Sequence, residues 1–154
     1  MTAPVATVRR WVGRTVVLAA LLVSAGRAQA QLTVSGDPAS LVVQSAAAGG
    51  LPMPATDAST SYGIFVFSFS QRKIVAQLNA PMPAGTTLSV MLQAPNTGTS
   101  QGLVPLGTTA RDVVTGITFA WGNRAISYQF SATPAAGVIP PQSRTVTFTI
   151  VAGP

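Results

Sequence analysis

Asp37, Asp57 and Asp112 are the only carboxylate side chains in this sequence, which contains no glutamate, histidine or cysteine. Those absences exclude Ser-His-Asp and Cys-His relays and any zinc site built on His or Cys. Glycoside hydrolysis needs two carboxylates about 5 to 9.5 Å apart. Asp37 lies in Gly36-Asp37-Pro38 and Asp57 in Thr56-Asp57-Ala58, and no aromatic or polar cluster beside either suggests a sugar cleft. Ca²⁺ takes several oxygen ligands, usually from repeated acids, and the chain has no D-x-D loop. Gly49-Gly50 runs into Leu51-Pro52, so a phosphate-cradling glycine loop before a helix is not expected there. Asp112 follows Arg111 at a strand entrance. Turn and strand-end roles account for all three aspartates, and the expectation is a protein without catalytic residues, metal ligands or cofactor.

The residues with some chemical interest are Trp121 and Arg124. In Trp121-Gly122-Asn123-Arg124 the Gly-Asn pair reads as the centre of a type II′ turn. At such a tip, Trp121 can stack on a sugar ring or a protein surface, with Arg124 adding a cation–π or ionic contact. The competing reading makes Trp121 a cap on the end of the fold, with Arg124 lying across it. Tyr62 and Tyr128 are expected in the core or at its rim.

Charge and targeting narrow the setting. Arg9, Arg10 and Arg14 precede the ten-residue apolar run Val16–Ala25, and Ala28-Gln29-Ala30 follows with small residues at −3 and −1 of a cleavage site. This reads as an export signal over residues 1–30, since a bilayer span needs about 20 apolar residues. The Arg9-Arg10 pair resembles a twin-arginine signal, but Trp11-Val12-Gly13 fits that route poorly, so general secretion is expected. The mature chain, residues 31–154, keeps five basic residues against three aspartates, a net charge of +2. Its densest basic cluster is Arg72-Lys73, so no nucleic-acid footprint is predicted, nor any stable membrane span once the signal is removed. A periplasmic, cell-surface or extracellular location follows.

One domain fits the length of the mature chain. Exported domains of this size often carry disulfides; this one must be held by its core alone. Gly or Pro interrupts every long stretch, and segments of period two recur. Strands are expected at Leu32–Ser35, Ser40–Ser45, Ser61–Phe69, Ile74–Asn79, Thr86–Gln93, Leu103–Leu106, Asp112–Trp121, Arg124–Thr133 and Arg144–Val151, with a loop over Gly49–Ser59. The spacing predicts an all-β, antiparallel, immunoglobulin-like β-sandwich of about seven to nine strands.

Two hairpins are expected, one turning at Gly122-Asn123 and one at Ser70–Lys73. In the second, Phe65, Phe67 and Phe69 share an inward face with Ile74, Ala76 and Leu78. That register leaves Ile64, Val66 and Val75 on an outward face, too apolar for a solvated sheet. The expected cover is either a loop or another subunit. In the last strand Val146, Phe148 and Ile150 are predicted to point inward and the intervening threonines outward.

The closing pattern Ala135-Ala136-Gly137, then Pro140-Pro141-Gln142-Ser143-Arg144-Thr145-Val146-Thr147-Phe148-Thr149-Ile150, resembles the end of many small exported bacterial immunoglobulin-like proteins. Together with Pro83-Ala84-Gly85-Thr86-Thr87-Leu88 it is also similar to the spore coat U and pilin-like group of fibre subunits, whose Cys pair is missing here. The resemblance implies a cell-surface structural role and carries over no residue. The expected function is a non-catalytic cell-envelope or secreted structural module, with a protein partner or self-association through Ile64, Val66 and Val75. The alternative is an adhesion or carbohydrate-binding module that takes a glycan at Trp121 and Arg124.

Overall fold

The computed structural model describes residues 30–44 and 50–154. The export signal read over residues 1–30 thus lies, apart from Ala30, outside the described residues. Seven antiparallel strands form the fold: β1 (Ala30–Ser35), β2 (Ala55–Leu78), β3 (Thr86–Leu92), β4 (Thr99–Ser100), β5 (Val104–Pro105), β6 (Arg111–Ala132) and β7 (Val146–Ala152). A 3₁₀ turn, Pro134–Ala136, follows β6. Among the described residues no helix is long and apolar enough to cross a membrane.

β2 and β6 are unusually long, at 24 and 22 residues, and they pair with each other along most of their lengths. β1 and β7 line successive stretches of the free edge of β2, β3 and β4 line that of β6, and β5 adds to β3. The sheet bends where four residues of β2, 68–71, face Thr118 alone on β6. On both sides of the bend β2 turns its even-numbered side chains inward, Tyr62, Ile64 and Val66 before it and Ile74, Ala76 and Leu78 after it. These join Val90, Leu92, Val113, Val114, Ile117, Ala120, Ile126 and Tyr128 in one core. The result is a sandwich-like all-β fold, made by folding two long strands over a shared interior.

Both expected hairpins are overturned. Gly122 and Asn123 do not reverse the chain; they continue β6 and pair with Ile64 and Gly63 of β2. Residues 70–73 likewise lie within β2. The physical reason is partner choice. A Gly-Asn turn is a local preference, whereas β2 offers β6 eight consecutive pairs, Thr60↔Ile126 through Phe67↔Phe119. Two of those pairs, Phe65↔Trp121 and Phe67↔Phe119, are aromatic cross-strand pairs, each contributing about 0.2–1 kcal/mol over small residues. Gly122 still adopts φ +94°, but as a local kink in the strand.

Bulges set which side chains face the core. The β2–β6 register shifts between Ile74/Val114 and Val75/Asp112, leaving Val113 as an extra residue on β6. That bulge lets two successive residues, Val113 and Val114, both point inward, which a regular strand forbids. Gly116, at φ +71°, supplies a second irregularity two residues on. Elsewhere β1, β3 and β5 fall where strands were expected. β7 presents Val146, Phe148 and Ile150 to the core, as its alternation predicts. The expected strand at Ser40–Ser45 is not formed over its described residues, and β2 begins at Ala55 inside the expected loop.

Candidate functional site

The three aspartates do not converge. Asp37 is exposed in the segment after β1. Asp57 accepts hydrogen bonds from Ser59, with the hydroxyl at 2.9 Å, and so fixes the bulge near the start of β2. Asp112 forms an ion pair with Lys73 at 3.0 Å. Asp57 and Asp112 sit towards opposite ends of the β2–β6 ladder, across from Tyr128 and Val75 respectively. Among the described residues, no three acidic, His or Cys groups gather as a metal site would require.

The paired reading of Trp121 and Arg124 is corrected by the strand they share. Trp121 opposes Phe65 and points to the outer face of the sheet; Arg124 opposes Tyr62, an inward residue, so the two side chains leave opposite faces. Arg124 reaches the Asn96 side chain at 2.7 Å. Its charge also acts on Tyr62, whose phenol donates a hydrogen bond to the Gln93 carbonyl. Burial pushes the Tyr62 phenol up to about 12, with the Arg124 guanidinium pulling the other way. Burial raises the Tyr128 phenol as well. Arg124 is thus a rim residue that ties β6 to the 94–98 segment.

The outward apolar face exists, but its residues are the neighbours of those expected. Ile64 and Val66 are 4% and 0% exposed and belong to the core, while Val75 is half-buried between Asp112 and Thr149. The phenylalanines expected inside are outside: Phe65 is 48%, Phe67 54% and Phe69 99% exposed. Phe119 and Trp121 on β6 join them, at 42% and 50%. A one-position change of facing exchanges the whole set, because side chains alternate strictly along a strand.

These five rings form a ridge running across the two central strands. Phe69 meets Phe67 edge-to-face at 5.8 Å between centroids, Phe67 meets Phe119 at 5.7 Å and 83°, and Phe119 meets Trp121 at 4.8 Å and 53°. Phe65 stands directly across from Trp121. Thr97 secures the edge beneath: its hydroxyl donates to the Phe119 carbonyl at 2.6 Å and accepts from the Thr118 and Phe119 amides. In the neighbouring outward row Gly63 lies between Thr33 and Asn123, whose side-chain oxygens take up the space above it, 2.7 and 3.1 Å from where a Cβ would stand.

Two hollows lie away from the ridge. One of about 510 Å³ opens between the 38–43 and 139–144 segments and is floored by Met82, Leu88, Phe130 and Val146; the other, about 430 Å³, is bordered by Asp57, Met91, Leu103 and Tyr128. The first carries polar side chains at its rim, Ser40, Gln142 and Arg144 among them, but the Arg144 guanidinium already donates to the Pro81 and Ser143 carbonyls and to the Gln142 side chain. The class this geometry defines is an antiparallel β-sandwich carrying an aromatic outer face. Comparison with protein-family models, with curated proteins and with solved structures finds no match to this chain.

Proposed function

We propose that the chain is an exported, non-catalytic envelope or secreted interaction module, whose working surface is the aromatic ridge Phe65-Phe67-Phe69-Phe119-Trp121. The observation that carries this reading is the exposure of five touching or facing rings on one sheet face. At about 200 Å² for an aromatic side chain, their exposed fractions amount to roughly 600 Å² of ring surface. That is at the upper end of the largest apolar patch of a typical monomer, about 300–600 Å². Ring surface left in water forgoes the gain of burial, so a contiguous patch of this size supports a partner. The export signal read over residues 1–30 and the resemblance of the closing sequence pattern to small exported β-sandwich proteins support the setting.

Cell fractionation of the exported wild type against Phe67→Ser/Phe119→Ser tests this reading. Wild type should partition into the envelope-bound or assembled fraction and the variant into the soluble one. Identical partition of two equally folded proteins refutes it.

A second reading, adhesion through a carbohydrate, draws on the facing pair Phe65 and Trp121 with the amide side chains of Gln31 and Asn123 in neighbouring outward positions. The tilted rings offer a less even platform for a sugar than coplanar ones, and Arg124 faces away. Glycan-array binding that disappears in Trp121→Ala would support it.

A further inference from the structure

We infer that the aromatic ridge binds a second copy of this chain, sheet face to sheet face, about a two-fold axis that lies in the interface and crosses the strands. The inference rests on the ridge being the working surface and names its partner. Area is the first argument. A standard interface buries about 800 Å² per partner, and the rings alone offer roughly 600 Å². The flanking outward side chains of Gln31, Thr33 and Asn123 provide the remainder as a polar rim.

Charge is the second argument. The outward positions around the ridge are Gln31 and Thr33 on β1, Ser61 and Gly63 on β2, and Asn123 and Ala125 on β6, none with an ionised side chain. A basic or acidic partner, or an anionic lipid surface, finds no counter-charge there, whereas two copies meet without repulsion. The nearest cations on β2, Arg72 and Lys73, lie past the bend, and Lys73 is held by Asp112.

Register is the third argument. An isologous contact must match a surface to itself. With the axis between the Phe65–Trp121 and Phe67–Phe119 pairs, Phe67 lies over the partner's Phe65 and Phe119 over the partner's Trp121. Phe69, the most exposed ring, then comes to the Gly63 row of the other copy, where β2 itself carries no side chain and the short Thr33 and Asn123 side chains lie on either side. Ring surfaces therefore meet rings, and the protruding end meets a row of short polar side chains.

Sedimentation velocity on the processed full chain over a range of concentration tests the inference. Wild type should move to twice the monomer mass as concentration rises. Phe67→Ser/Phe119→Ser should stay monomeric with an unchanged far-UV circular dichroism spectrum, and Val138→Ser, which removes an exposed apolar side chain elsewhere, should still dimerise. Should the double variant fail to fold, Phe119→Cys decides. The chain has no cysteine of its own, so a short bis-maleimide should join this variant to itself and leave Val138→Cys uncoupled. A wild type that is monomeric throughout, or a folded double variant that still dimerises, overturns the inference. If wild type is monomeric but the double variant loses envelope retention, the dimer alone is refuted; if the double variant changes neither property, the working-surface reading falls too.

Discussion

Replacing Val66 and Phe67 by serine, one at a time, separates the two possible facings of β2. Val66 is fully buried and Phe67 is 54% exposed. Burying a valine side chain contributes about 1.5–3 kcal/mol. Val66→Ser forfeits most of that and places a hydroxyl in the apolar core across from Ala120, with an unmet hydrogen-bonding demand of about 1–3 kcal/mol. The expected cost is about 4 kcal/mol, a large share of the 5–15 kcal/mol that typically holds a domain together. Phe67→Ser gives up the covered part of a half-exposed ring and two edge-to-face contacts at about 0.5–1.5 kcal/mol each, so about 1–3 kcal/mol is expected in the monomer. Equilibrium denaturation in urea, followed by circular dichroism, reads both values. Runs at two protein concentrations remove any contribution from association, which would make the midpoint concentration-dependent. If Phe67→Ser costs as much as Val66→Ser, the facing of β2 is reversed, and the aromatic ridge with it.

Alkaline pH should weaken the fold through Tyr62, whose phenol ionises at about 12 in the folded chain against an ordinary 10.0. The neutral phenol is favoured by the fold, so this stability is complete below pH 10 and is lost as pH rises from about 10 towards 12. It amounts to about 3 kcal/mol at 1.36 kcal/mol per pH unit. Urea midpoints across that window should fall more steeply for wild type than for Tyr62→Phe; parallel curves contradict the assignment. Gly85→Ala should cost about 2–3 kcal/mol, because φ is +76° and the new methyl would lie 2.9 Å from the Ala136 Cβ. Gly102→Ala, at φ +71° with no atom within 4 Å of its Cβ, should cost only the backbone part, about 1–2 kcal/mol; thermal melts of the pair test the difference. Lys73→Met removes an ion pair whose side chains are 26% and 43% exposed, and should change the unfolding free energy read from urea denaturation by less than about 1 kcal/mol.

Strand character was legible wherever side chains alternate, and partner choice was not. β3, β5 and β7 are short and bounded by Gly, Pro or Asn, and their limits fall close to where the sequence puts them. In β2 and β6, alternation continues through residues that also look like turns. Period-two patterning says that residues 112–121 and 124–133 are strands; it does not say whether they pair with each other or with a third segment. The decision rests on non-local pairing with β2, which no local preference encodes. Facing was ambiguous for a related reason. From Ile64 to Phe69 both faces are apolar, aliphatic on one side and aromatic on the other, so hydrophobicity alone cannot choose. A signal did exist in the flanks. Continuing the even face backwards meets Tyr62 and Thr60, whereas the odd face meets Gly63 and Ser61, too small to fill a core. Of the residues singled out beforehand, Trp121 alone belongs to the ridge; Ile64 and Val66 were one position from its members.

The position of the ridge on the ladder bears on how it can work. Register shifts break the β2–β6 pairing below Thr60 and beyond Phe67, and between them run eight uninterrupted pairs. β1 pairs without a shift along the same stretch of β2, from Val66 back to Ser61. Four of the five rings rise from this stretch of unbroken register, which Gly122 kinks beside Trp121, and the fifth, Phe69, stands at the edge of the bend. Irregularity is therefore concentrated where the sheet must fold over its core. The residues that face outward are carried by the part of the sheet whose backbone hydrogen bonds are most continuous. A ring on such a stretch loses little further freedom when a partner covers it, because its backbone is already fixed and two side-chain torsions are all that remain to order. An exposed aromatic loop would have to be ordered on binding, at about 1–2 kcal/mol per residue for the backbone alone. Long, bent central strands thus serve two ends at once: they close a core without disulfides, and they hold a hydrophobic surface rigid in water.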